Sequence, residues 1–136
     1  AYLARRGEPQ TPAELVHHDC VRYSLLKAAD EWRFRAEGRS FSVPVTARFE
    51  AASGAVVRAA ALSGIGVAVL PSFAIAEELA AGRLRQILAA FSFVRIAVHA
   101  LHPPARALPA SVRAFVALLA GHFRAPPWGA APPTGR

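Results

Sequence analysis

His17-His18-Asp19-Cys20 is the densest group of metal-capable side chains in the sequence. Imidazole and thiolate suit zinc, but a zinc site needs a second ligand pair at its own short spacing, and none follows. The quartet reads as a loop before a strand, with Cys20 a small buried apolar residue. His99 and His102 flank a strand end, where an extended chain points them to opposite faces and denies them a shared ligand. No Gly-x-Ser-x-Gly nucleophile elbow occurs. Ser63-Gly64-Ile65-Gly66 carries Gly-x-Gly, but a helical run precedes it and a strand-like run follows. A dinucleotide-binding turn has the reverse order, so these glycines read as a helix cap and a close-packing position. The sequence therefore predicts no catalytic residue, no metal ligand and no cofactor. The enzymatic alternative, a small α/β enzyme using Ser53 or His102, would need a nucleophile and a base within about 3 Å of each other.

A different chemistry is written in Glu50-Ala51-Ala52-Ser53-Gly54. This turn follows a strand and opens a helix. Ligands of open α/β sheets lodge at the carboxyl ends of strands, over helix N-termini whose free N–H groups and dipole favour an anion or carboxylate. Small side chains there leave room for one. A capped helix start with no ligand is the plainer reading of the same residues. The aromatics Trp32, Phe34, Phe41 and Phe49 could line a pocket, but they also fit strand alternation as ordinary core.

The positioning elements follow from pattern. Arg5 to Pro12 is a loop by its turn residues. Thr11, Pro12 and Glu14 suggest an N-cap, a first-turn proline and an early acid for a short helix from Pro12 to His17. Val21 to Tyr23 is a brief strand. Glu31 to Arg35 and Arg39 to Val43 alternate around Ala36-Glu37-Gly38, which predicts a hairpin with one wet face. Pro44 marks its second strand as an edge. Val45, Ala47 and Phe49 continue into another strand. Ser53 caps a helix over 55–62, with Gly64 as its left-handed stop. Ile65 to Leu70 is a continuous apolar run of the kind that forms a parallel strand covered on both faces. Strand, helix and strand in this order make a right-handed crossover. A helix from Ser72 to Ala81 places Phe73, Ala76 and Ala80 inward and Glu77 and Glu78 outward, with Gly82 as stop. Strands over 84–88 and 94–101 follow, then a helix from Pro109 to Phe123. Val112, Phe115, Val116, Leu119 and Phe123 form its apolar stripe. Residues 124–136, rich in Pro, Ala and Gly, are expected to be disordered.

The 136 residues are 54% hydrophobic and 18% charged, the size of one domain and too apolar for a disordered chain. No apolar run is long enough to span a bilayer, and the first residues do not form a signal peptide. One cysteine permits no intrachain disulfide and suits a reducing, cytoplasmic setting. Net charge is +7, nearly all from scattered arginines with no basic stripe, which does not predict direct nucleic-acid binding. There is no methionine, so the chain is expected to begin inside a longer protein.

Several segments in fixed order carry a resemblance. They are Tyr2-Leu3-Ala4-Arg5-Arg6-Gly7 with Thr11-Pro12-Ala13-Glu14-Leu15, the Trp32-Arg33-Phe34 hairpin, and above all Val56 to Pro71. Leu79 to Leu84, Val98 to Pro104 and Val112 to Val116 complete the set. Together, from Tyr2 to about Phe123, the chain resembles the effector-binding domain of LysR-type transcriptional regulators. The resemblance implies an α/β fold like type II periplasmic binding proteins, with one complete lobe, a mixed sheet flanked by helices, over 1–92. A returning strand and helix of the other lobe would occupy 93–123. It implies a small-molecule effector in a cleft between lobes; a carboxylate is a candidate from the helix start at Ser53 rather than from the resemblance. It also implies a homo-oligomer, and DNA contact only through an N-terminal winged helix-turn-helix that this chain lacks. By motif position, Phe49, Ala51, Ser53 and Gly54 would face the cleft, Trp32 would cap the wall, and His102 and Pro103 would approach from the returning segment. The strand over 94–101 would then present unpaired backbone, inviting self-association or atypical docking. A transporter's solute-binding protein shares the implied fold and is the second alternative.

Overall fold

The computed structural model describes residues 1–25, 30–93, 99–102 and 108–124. They fall into two units, one up to residue 93 and the other from residue 99.

In the first unit, alternation along three short strands builds a parallel sheet. β1 (Cys20–Tyr23) lies between β4 (Ala47–Ala51) and β5 (Val67–Ala68), parallel to both. The crossover from β4 through α2 (Gly54–Leu62) therefore passes over β1 to reach β5. Neighbouring residues of one strand serve opposite faces. Cys20 and Val67 pack with Leu15, Trp32, Phe34, Val43 and Val45, whereas Val21 and Ala68 pack with Val57 and Ala60 of α2. The apolar run from Ile65 to Leu70 is thus covered on both sides as its composition implies, although only two of its residues are hydrogen-bonded strand.

The hairpin forms the second sheet. β2 (Glu31–Ala36) pairs antiparallel with β3 (Arg39–Pro44), and β6 (Ser92–Phe93) adds to the far side of β2, leaving β3 at the edge as Pro44 requires. β2 alternates buried Trp32 and Phe34 with exposed Glu31, Arg33 and Arg35. Phe93 meets the rings of Trp32 and Phe34 edge-on, with centroids 6.4 and 5.5 Å away.

Helix ends follow their glycines. After α2, the Gly64 N–H donates to the Ala61 carbonyl and the Ile65 N–H to the Ala60 carbonyl, with Gly64 at φ 72°. This is the Schellman arrangement, and Gly82 repeats it after α3 (Ser72–Ala80).

Several expectations are corrected. Residues Tyr2–Arg6 form a helical turn, α1, where the turn residues from Arg5 onward indicate a loop; five residues are too few for an amphipathic period to show. The short helix expected over Pro12–His17 is present with those bounds, as a 3-10 helix with Thr11 at the N-cap position and Glu14 in its first turn, although Thr11 does not cap it through its side chain. The Thr11 hydroxyl donates instead to Glu14 at 2.9 Å, and that carboxylate also accepts the Gln10 N–H at 3.1 Å, which holds it below its usual pKa range. On α3 the inward face is rotated: Phe73 is 59% exposed and Ala80 exposed, while Glu78 is only 7% exposed. Arg58 of α2 supplies the charge partner that lets the carboxylate turn inward. Residues 84–88 form no strand, because Leu88 adopts φ 54° and turns the chain, with the Phe91 N–H bonded to its carbonyl. Of the strand expected over 94–101, residues 99–101 are irregular and 94–98 lie outside the described residues.

In the second unit, α4 (Ala110–Arg124) starts one residue after Pro109, whose carbonyl accepts the Arg113 N–H. Its expected stripe is partly covered: Val112, Val116 and Leu119 are half-buried, Phe115 and Phe123 exposed. Of the tail expected to be disordered, 124–136, Arg124 instead closes α4 and 125–136 lie outside the described residues. Among the described residues, no helix is long and apolar enough to cross a membrane.

Candidate functional site

Parallel strands end together, and that end carries the candidate residues. β4 finishes at Ala51 beside Tyr23 of β1, and the Ser24 N–H donates to the Ala51 carbonyl at 3.0 Å. Ala52 and Ser53 then lead directly into α2. Ser53 stands at the N-cap in extended conformation and closes the first turn with its carbonyl, taken by the Val57 N–H at 3.0 Å. Its hydroxyl makes no capping bond. Phe49, two residues before Ala51 on the same strand face, is 36% exposed. Ser53 and Gly54 are exposed and Ala51 half-buried. These four candidates follow one another along the second half of β4 and the turn that opens α2.

The other candidates lie apart from them. Trp32 is 4% exposed and sits in the core between the two sheets, against Phe93. His102 belongs to the second unit and is exposed; Pro103 lies outside the described residues.

The opposite face of the same strand end holds a charge cluster that sequence reasoning missed. Arg22 of β1 stands beside Glu50 of β4, and its guanidinium joins both Glu50 and Asp30, the residue before β2. The Glu50 hydrogen bond, with the charges of both acids, raises its already high pKa. Its Nε is buried without a partner among the described residues. Nothing in Val21-Arg22-Tyr23 signals this, because the partners are neighbours only once β4 and β2 have folded beside β1.

A groove of about 300 Å3 runs between α2 and α3, lined by Gly54, Ala55 and Arg58 on one side and Phe73, Ala74 and Glu78 on the other. Gly54 thereby joins the end of β4 to a concave surface. Arg58 donates to the Ala74 carbonyl at 3.2 Å and lies 3.5 Å from Glu78, spanning the groove floor.

Within the histidine–cysteine quartet, His18, the Asp19 backbone and Cys20 make structural contacts, and the His17 side chain is exposed. The Tyr2 hydroxyl accepts the Asp19 N–H at 2.7 Å and shares a hydrogen bond with His18 Nδ1 at 3.2 Å. Cys20 is fully buried, and that burial pushes its thiol up to about 12, where it is no nucleophile at neutral pH.

Comparison with known proteins agrees with this architecture. Residues 1–124 match the family model described as the LysR substrate binding domain. The HTH-type transcriptional regulator PtxR of Pseudomonas aeruginosa is 32% identical over 127 residues, which is 93% of this chain and 41% of PtxR. The HTH-type transcriptional regulator CrgA of Neisseria meningitidis serogroup C is 34% identical over 89 residues, 65% of this chain and 29% of CrgA. The chain thus spans well under half the length of these curated relatives. Among solved structures, the full-length Vibrio cholerae virulence activator AphB superposes with a TM-score of 0.70 at 26% identity, covering 89% of this chain and 41% of AphB. The structure of CrgA from Neisseria meningitidis gives 0.57 at 31% identity, covering 65% and 30%. The mixed α/β architecture described above is consistent with the type II periplasmic-binding-protein-like fold. By the match over residues 1–124, the chain belongs to the LysR substrate binding domain family.

Proposed function

We propose that this chain is the effector-sensing part of a LysR-type transcriptional regulator, a non-enzymatic cytoplasmic protein. A small metabolite, a carboxylate among the candidates, would lodge against Phe49, Ala51, Ser53 and Gly54. Trp32, buried in the core of the first unit, would stiffen the sheets from behind. Residues 1–92 would form one lobe, and the segment over 93–123 the return to the other. In the whole protein, effector binding would shift the balance between arrangements of a homo-oligomer and so change how a separate helix-turn-helix domain holds DNA. A ligand can do this only through unequal affinity for the two arrangements, so the site must be completed differently in each.

One observation carries the reading: exposed small residues follow β4 directly and open α2 at the shared carboxyl end of parallel strands. That end is where α/β sheets bind ligands, and the helix N–H groups favour an anion. The test is a titration of the chain with a panel of small carboxylates, followed by amide chemical shifts. Saturable shifts over 51–55, abolished by Ser53→Tyr, are expected. Saturable binding that leaves 51–55 unperturbed would refute the site. The complete gene should encode a helix-turn-helix segment; a secretion signal in its place would favour a transporter's solute-binding protein.

A further inference from the structure

A second concavity sits at the opposite end of the parallel sheet. Arg5 and Arg6 close α1 and Arg48 is the second residue of β4; with Asp19, Gly64 and Ile65 they line a space of about 390 Å3. Asp19 directly precedes β1, and Gly64 and Ile65 precede β5. The concavity therefore lies at the amino ends of the strands, away from Ser53 and Gly54.

Two of the three guanidinium groups are held in place. Arg5 donates to the Gly64 carbonyl at 3.1 Å, and Arg6 to the His17 carbonyl at 3.0 Å. Each contact uses one of five N–H donors and neutralises no charge, since a carbonyl carries none. Arg48 faces Asp19 at 3.5 Å and is otherwise open to solvent. Three cations against one carboxylate give the lining an excess of two positive charges.

The geometry points to a binding site for a phosphate dianion, either free or carried on a small molecule. Guanidinium forks from α1 and from β4 match a tetrahedral, doubly charged group, where a planar carboxylate needs only one fork. Donors already anchored by Gly64 and His17 lose little freedom on binding. The volume lies at the low end of small-molecule sites and exceeds a bare ion, leaving room for a phosphomonoester.

The test is titration of the full chain with inorganic phosphate and, separately, glycerol 3-phosphate at constant ionic strength, read by amide chemical shifts. Saturable shifts at Arg5, Arg6, Arg48 and Gly64 are expected. Affinity should fall about tenfold in Arg48→Glu, the loss expected for a charged hydrogen bond, and stay within about twofold in Arg39→Glu, an exposed hairpin arginine. Arg48→Gln removes the charge without adding an acid beside Asp19, and keeps the test intact if Arg48→Glu does not fold. Tighter binding of the ester identifies a phosphorylated molecule as ligand; equal or tighter binding of inorganic phosphate identifies the free ion. Non-saturating shifts, equal losses in the Arg48 and Arg39 variants, or shifts confined to 51–55 would overturn the site.

Discussion

The Arg58 guanidinium on α2 lies 3.5 Å from the Glu78 carboxylate on α3, and the same nitrogen donates to the Ala74 carbonyl at 3.2 Å. One side chain thus fixes both the charge and the backbone of the neighbouring helix. The pair is asymmetric: Glu78 is buried, whereas Arg58 remains half-open to water. Removing the arginine strands a carboxylate, which costs more than the pair itself contributes.

Arg58→Ala is therefore expected to lower stability by about 2 kcal/mol, within the range for losing a hydrogen bond to a charged group. Glu78→Gln, which keeps a polar group in the same place, should cost less. Denaturant titration with linear extrapolation measures both, and the double variant should be closer to the single Arg58→Ala than to the sum of the two. Additive losses would show that the two side chains act independently.

The contrast between Glu78 and its neighbours shows what a sequence can carry. Gly64 and Gly82 are legible as helix stops because a left-handed residue after a helix is a local requirement. Trp32 and Phe34 are legible as an inward row because strand alternation is local too. Glu78 reads as solvent-facing on any helical wheel, and its burial is decided by an arginine twenty residues earlier on another helix. Leu84 to Leu88 has strand composition, yet it has no strand to pair with, and Leu88 turns into the core instead. The end of β4 could be found from the turn after it. Arg22 and Tyr23 could not, because they reach that end only through the insertion of β1 between β4 and β5.

The hairpin turn offers a separate prediction. Glu37 and Gly38 both have positive φ, 49° and 76°, between the paired residues Ala36 and Arg39. This is a type I′ turn, which matches the twist of the flanking strands but strains a residue with a side chain at its first position. Glu37→Asn is expected to stabilise the protein by about 0.5 kcal/mol, and Gly38→Ala to destabilise it by about 1 kcal/mol. A Cβ at Gly38 meets nothing within 4 Å, so the loss would be purely conformational. Urea midpoints at constant slope check both.

Gly66 makes a different demand. A Cβ there would stand 2.2 Å from the Asp19 carbonyl oxygen, which accepts the Val67 N–H at 2.9 Å. The obstacle is backbone, so no rotamer relieves it. Gly66→Ala should cost about 3 kcal/mol, the upper end for overpacking, and should weaken β5 pairing before the rest of the unit. Hydrogen exchange at Val67 should accelerate more than exchange at Val21; equal acceleration would mean that the whole sheet loosens together.

Cys20 links the same core to pH. Burial first, and the Asp19 carboxylate second, push its thiol up to about 12 from an ordinary value of 9.0. The folded state therefore keeps the proton over a range in which the unfolded chain releases it. Its contribution to stability is complete below pH 9 and is lost as pH rises toward 12. Cys20→Ala is expected to flatten the fall in stability over that window, while losing some stability at pH 7 through the smaller side chain. Alkylation offers the direct check: at pH 8 the native thiol should resist iodoacetamide, and denaturant should release it to react as a free cysteine does. Rapid alkylation of the native chain would mean that the sheet opens locally at β1.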